Sequence, residues 1–201
     1  MLDVQKAILL KVSPSGESYL NLHALSADAG SFYCLKRISK KTVKEAPDLF
    51  DTAEIHLETA KVGTTQFVRE YRTIHRRSKI GQSYQTLQYA SEYANLLSRN
   101  AAHMPDPAVL FQLAERTFDA FTERDAASIV SLKGIYLLLQ GEGYPVRESW
   151  WPQIPEDLRE VTKQLINQPT PEEPTTEILE ASEAIRDNLT RWIKRETEMI
   201  I

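Results

Sequence analysis

The apolar residues of this chain change their spacing near residue 80, and that change constrains the fold more than any other feature. Before it, apolar and polar residues alternate, the mark of strands with one buried face. Val4 to Val12 is apolar and β-compatible, and it stops at the dense turn signal Ser13-Pro14-Ser15-Gly16. Tyr19 to Leu25 alternates, with Leu20, Leu22 and Ala24 on one side and Tyr19, Asn21 and His23 on the other. Ser26 to Gly30 makes the next turn, and Ser31 to Arg37 resumes the pattern. After a loop containing Pro47, Leu49 to Lys61 sets Ala53, Ile55, Leu57 and Thr59 against Glu54, His56 and Glu58. Gly63 allows a tight turn, and Thr64 to Arg77 forms a fifth strand. Five strands at this spacing predict a small barrel or sandwich. The oligonucleotide/oligosaccharide-binding barrel, the OB-fold, fits the count and size, as does an SH3-like barrel.

From Gly81 the period becomes helical. Leu87, Ala90, Ala94 and Leu97 fall on one face. Asp106-Pro107 is a helix-start pair, because Asp caps and Pro occupies the first helical position without losing a hydrogen bond. The next stripe runs from Leu110 to Phe121, and a third helix from about Ala126 to Leu139 ends at Gly141 and Gly143. Pro145 to Pro155, with the Trp150-Trp151 pair, reads as irregular, and Glu156 to Asn167 as a short helix. Residues 168–175 form an acidic, proline-rich linker before a closing helix that presents Ile178, Ala181, Ile185, Leu189 and Trp192. The expected architecture is therefore α+β: a five-stranded OB-fold barrel over residues 1–80, then an all-α domain over 81–201.

Charge divides along the same line. Residues 1–80 hold 13 Lys+Arg against 9 Asp+Glu, whereas residues 81–201 hold 11 against 19. A basic half joined to an acidic half suggests that the first meets a polyanion, although the division also serves solubility. At 42% hydrophobic and 26% charged residues the chain suits a packed globular protein. It has no apolar run near the ~20 residues a membrane span needs and no basic-plus-apolar leader. The single cysteine, Cys34, excludes an intramolecular disulfide and a cysteine-only metal cage. A reduced, cytoplasmic setting is expected. Catalytic signatures are missing: no phosphate-binding glycine loop, no nucleophile elbow, no paired-histidine metal helix. No enzyme activity, cofactor or metal is predicted.

Two clusters of cations stand out. Lys36, Arg37, Lys40, Lys41 and Lys44 lie at the end of the third strand and in the loop after it. Arg69, Arg72, Arg76, Arg77 and Lys79 lie in the fifth strand and its exit. Strict alternation would put Arg72 and Arg76 on one face, and Arg69 and Arg77 on the other with Phe67 and Tyr71. Cations along a groove track phosphates by releasing counterions, and interleaved aromatics stack unpaired bases. The ten residues are the expected nucleic-acid surface. With no base-reading motif, contact should be to the backbone, with little sequence preference.

The layout resembles the bacterial RecO family of recombination mediators. Lys6-Ala7-Ile8-Leu9-Leu10-Lys11 looks like its first strand, and Cys34-Leu35-Lys36-Arg37-Ile38-Ser39-Lys40-Lys41 like its basic segment, with Ile38 where glycine is usual. Tyr89-Ala90-Ser91-Glu92-Tyr93, Leu110-Phe111-Gln112-Leu113 and the stretch from Leu132 to Pro145 are similar to its helices. Ile185 to Trp192 resembles its closing helix. The four-cysteine zinc module of many members has no counterpart, since Val146 to Trp151 contains no cysteine. The resemblance implies a non-catalytic mediator that binds single- and double-stranded DNA, contacts single-strand-binding protein and RecR, anneals strands and helps load RecA. The acidic-apolar tail of single-strand-binding protein would need a cation beside an apolar pocket, with Arg116 and Lys133 as candidates. Two other readings fit the residues: a protein-interaction adaptor using the barrel and the tryptophan pair, and an OB-fold RNA binder.

Overall fold

The computed structural model describes residues 3–38 and 46–201. Five strands form a closed barrel: β1 (Asp3–Ser15), β2 (Tyr19–Ser26), β3 (Gly30–Arg37), β4 (Thr52–Thr59) and β5 (Gln66–His75). Their order around the barrel is β1-β2-β3-β5-β4. The β3–β5 seam is parallel and the other four pairings are antiparallel. This is an OB-like barrel, as the strand count and turn spacing predict. Ala7, Leu9, Leu22, Ala24, Cys34, Ala53, Ile55, Leu57 and Tyr71 fill its interior.

Three bulges break the alternation. Leu10 is an extra residue in β1, and Arg69 and Ile74 are extra residues in β5. Each bends its strand and reverses which parity faces inward. In β5 the effect is decisive: Val68 and Tyr71, three apart, both pack on the interior. Tyr71 therefore does not share a face with Phe67 and Arg69, as strict alternation requires. Beyond the first bulge β1 runs on through Pro14, because its partner across the hairpin end is Leu20.

The helices are α1 (Tyr84–Asn100), α2 (Pro107–Glu123), α3 (Ala127–Gly141), α4 (Glu156–Asn167) and α5 (Thr176–Glu196). The start of α2 is capped as its sequence predicts, the Asp106 carboxylate accepting from the Ala108 and Val109 amides at 3.1 and 3.0 Å. The chain divides into two compact units, and neither is continuous in sequence. One comprises Met1–Arg77 with Leu97–Glu115, and the other Ser78–Leu96 with Arg116–Ile201. In the first unit, Lys6 on the outer wall of β1 pairs with Glu115 at 3.1 Å and lies over the Phe111 ring.

In the second unit α3 is buried on almost every side, since eleven of its fifteen residues are inaccessible. Gly134 is required there: a Cβ would fall 2.7 Å from a Thr117 methyl and 3.3 Å from the Tyr93 ring. The closing helix buries Ile185, Leu189 and Trp192, and Ser128 shares a hydrogen bond of 2.5 Å with Ser182. Trp150 is fully buried and donates its indole N–H to Asn188 at 2.8 Å. No helix among the described residues is long and apolar enough to cross a membrane.

Candidate nucleic-acid interface

Alternation along β3 leaves Tyr33, Leu35 and Arg37 on the outer wall of the barrel, opposite to Cys34 in the interior. The register brings flanking residues to the same place. Tyr19 of β2 stands beside Arg37, and Phe67 of β5 beside Leu35. The Tyr19 and Phe67 rings lie 5.9 Å apart across the end of β3. Around them opens a groove of about 350 Å³, to which Arg37, Lys61, Arg69 and Glu58 also contribute. Lys61 comes from the β4–β5 loop, closed by an Ala60 amide to Thr65 carbonyl bond of 2.8 Å. Gly63, with φ of +90°, takes the left-handed conformation at the turn of this loop, which a side chain would strain. OB barrels bind oligonucleotides on the wall of strands 2 and 3, between the first and fourth loops. The groove lies on that wall, beside the fourth loop.

Further along the same wall, Tyr33 is 59% exposed and stacks on His23 at 4.0 Å. His23 itself is buried and bonded to Ser31 at 2.6 Å. Burial, and secondarily the charge of Lys11, pull its pKa down to about 4, so the imidazole is neutral under Tyr33. Cys34 is enclosed in the barrel, where burial pushes its thiol up to about 12 and keeps it unreactive.

The ten predicted cations have different fates. Arg37 and Arg69 meet in the groove. Lys36 turns the other way, its ammonium 5.4 Å from the centre of the Tyr71 ring. Arg72 lies outside the groove and bonds Glu54 at 2.9 Å. Hydrogen bonds from His56 and Arg72 hold the Glu54 carboxyl below its ordinary range. Arg76 grips the fully buried carboxylate of Asp51 through two nitrogens, at 3.1 and 2.8 Å. That pairing raises the Arg76 pKa further. Tyr71 donates to the same carboxylate at 3.1 Å. Arg77 is 2% exposed and donates to the Phe50 carbonyl at 2.6 Å and the Thr52 hydroxyl at 3.0 Å, so it ties the exit of β5 to the start of β4. Lys79 falls in the second compact unit. Lys40, Lys41 and Lys44 lie outside the described residues.

Sequence reasoning missed Lys61. A lone lysine carries no cluster signal, but Lys61-Val62-Gly63 at a tight turn between β4 and β5 marks the loop an OB barrel uses for binding.

In the second unit, Lys133 donates to the Gln168 carbonyl, and burial lowers its pKa. Arg116 is exposed on α2. Neither lines a cavity of about 490 Å³ in that unit, formed by Tyr136, Arg147, Trp151, Lys163, Ile166 and Asn167. Among the described residues no cluster of three or more His, Cys, Asp or Glu is placed to hold a metal ion. No protein-family model matches the chain, and no curated protein matches it in sequence.

Proposed function

We propose that this protein binds single-stranded nucleic acid, without catalysing a reaction, in the groove on the β2–β3–β5 wall. The carrying observation is the convergence there of Arg37, Lys61 and Arg69 with the Tyr19–Phe67 pair. The cations hold consecutive phosphates, and the two rings offer faces to unpaired bases. Tyr33 extends the stacking surface along β3. Three phosphate contacts give a salt dependence of roughly −2 in log K against log salt for a single strand. Each stacked base adds about 1–3 kcal/mol.

The likeness to the RecO family favours DNA as the ligand. It also favours strand annealing and RecA loading, with single-strand-binding protein and RecR as partners. For an acidic-apolar protein tail, the pocket of the helical unit is a better seat than Arg116 or Lys133. Trp151, Tyr136 and Ile166 supply apolar walls, and Arg147 and Lys163 supply cations.

Fluorescence anisotropy with a labelled oligothymidine tests the groove. Micromolar or tighter binding is expected at low salt, weakening steeply as salt rises, with Phe67→Ala costing about 1–3 kcal/mol. Absent or salt-insensitive binding refutes the reading. An oligouridine competitor of equal length separates a DNA binder from an RNA binder.

A further inference from the structure

We infer that Glu58 is an internal anion that competes with phosphate for Arg69, and so lowers the charge-driven part of binding in the groove and leaves stacking the larger share. The inference rests on the groove being the nucleic-acid site and names the residue that tempers its pull on phosphate.

Arg69 is the extra residue of the second bulge on the barrel wall, inserted between Val68 and Glu70. Across the β4–β5 ladder Glu58 stands opposite Phe67, and its carboxylate pairs with the Arg69 guanidinium. Both line the groove. Both are open to solvent, with side chains 63% and 43% exposed, so the pair is weak and a phosphate can break it. A ligand entering the groove therefore finds three cations, one already carrying a carboxylate. A sugar–phosphate chain without bases must displace that carboxylate and then lie beside it. A chain with bases meets the same opposition but also stacks on Tyr19 and Phe67, which no polyanion can match.

Glu54 provides an internal comparison. It lies on the same strand and is likewise paired with an arginine, Arg72 at 2.9 Å, but it does not line the groove. Glu54→Gln and Glu58→Gln change net charge identically, so any difference between them reports position and not total charge.

The experiment measures binding of an oligothymidine and of an abasic oligodeoxynucleotide of equal length, across a salt series, to the full chain and its variants. Glu58→Gln should tighten oligothymidine and the abasic strand alike, each about 5-fold, because both meet the same carboxylate. The log–log salt slope should steepen by about 0.7, one added phosphate contact. Glu54→Gln should stay within about twofold of wild type, at the scale of a remote surface charge. The double variant Glu58→Gln/Arg69→Gln should lose the tightening, because Arg69 is what Glu58 occupies. Equal effects of Glu58→Gln and Glu54→Gln, or tightening that survives in the double variant, overturn the inference and leave the groove assignment standing. Failure of the wild-type chain to bind oligothymidine overturns both.

Discussion

Arg37 and Arg77 carry the same charge, one exposed on the barrel wall and one buried, and exchanging each for glutamine should separate binding from stability. Arg77 is 2% exposed, and its bonds include those to the Phe50 carbonyl and the Thr52 hydroxyl. Hydrogen bonds from a charged group contribute about 1.5–3 kcal/mol each. Glutamine keeps part of the apolar stem and one donor group, so the expected loss is about 3 kcal/mol, the lower end of the sum of two such bonds. For a chain of this size each kcal/mol lowers the midpoint by about 2–4 °C, giving a shift of roughly 6–12 °C. Arg37→Gln sits at an exposed position and should change stability by no more than about 0.5 kcal/mol. It should instead flatten the salt slope by about 0.7, one phosphate contact on a single strand. Differential scanning calorimetry and anisotropy titrations on both variants read the two effects. If Arg77→Gln melts like wild type yet weakens binding, or Arg37→Gln melts early, the assignment of bracing and binding roles is wrong.

Two further outcomes are expected. The folded-state pKa of His23 lies near 4 against 6.5 when unfolded, so only the unfolded chain takes up its proton as pH falls between those values. The barrel should keep the full contribution of this residue above pH 6.5 and lose up to about 3 kcal/mol of it by pH 4. The urea midpoint of His23→Gln should be less pH-dependent over that window, and equal slopes would exclude a buried neutral imidazole. In the second unit, Gly134→Ala puts a methyl 2.7 Å from Thr117 and should cost about 1–3 kcal/mol as overpacking. Adding Thr117→Ala should recover part of it, and simple additivity in denaturant titrations would show that the clash is not the cause.

The barrel was legible because its strands are short, alternate cleanly and are separated by turn residues. The helical stripes were equally plain, since Asp106-Pro107 and the residue pairs three and four apart describe local geometry. What alternation could not convey was where it breaks. One extra residue at Arg69 reverses the faces of β5, and nothing in Val68-Arg69-Glu70 announces that a bulge falls there and not one residue away. Tyr71 thus changes from a stacking candidate into a core residue bonded to Asp51. The density of cations misled for a related reason. Charge in the sequence does not show which carboxylate folds beside it, and Asp51 is 25 residues from Arg76, the residue that it holds. Lys61 escaped notice because its significance comes from the loop that carries it, not from its neighbours.

The segment Leu97–Glu115 belongs with the barrel although residues 78–96 before it do not. Any attempt to isolate the binding module by cutting after the fifth strand would therefore remove structure the module uses. It would strip away Phe111 and Glu115, on which Lys6 rests, and Pro107, whose Cβ comes within 3.6 Å of where a Gly30 side chain would begin. A shortened product that precipitates would report this missing buttress and say nothing against the groove. The compact unit that holds the barrel is discontinuous in sequence, and isolating it calls for grafting a new connection between residues 77 and 97.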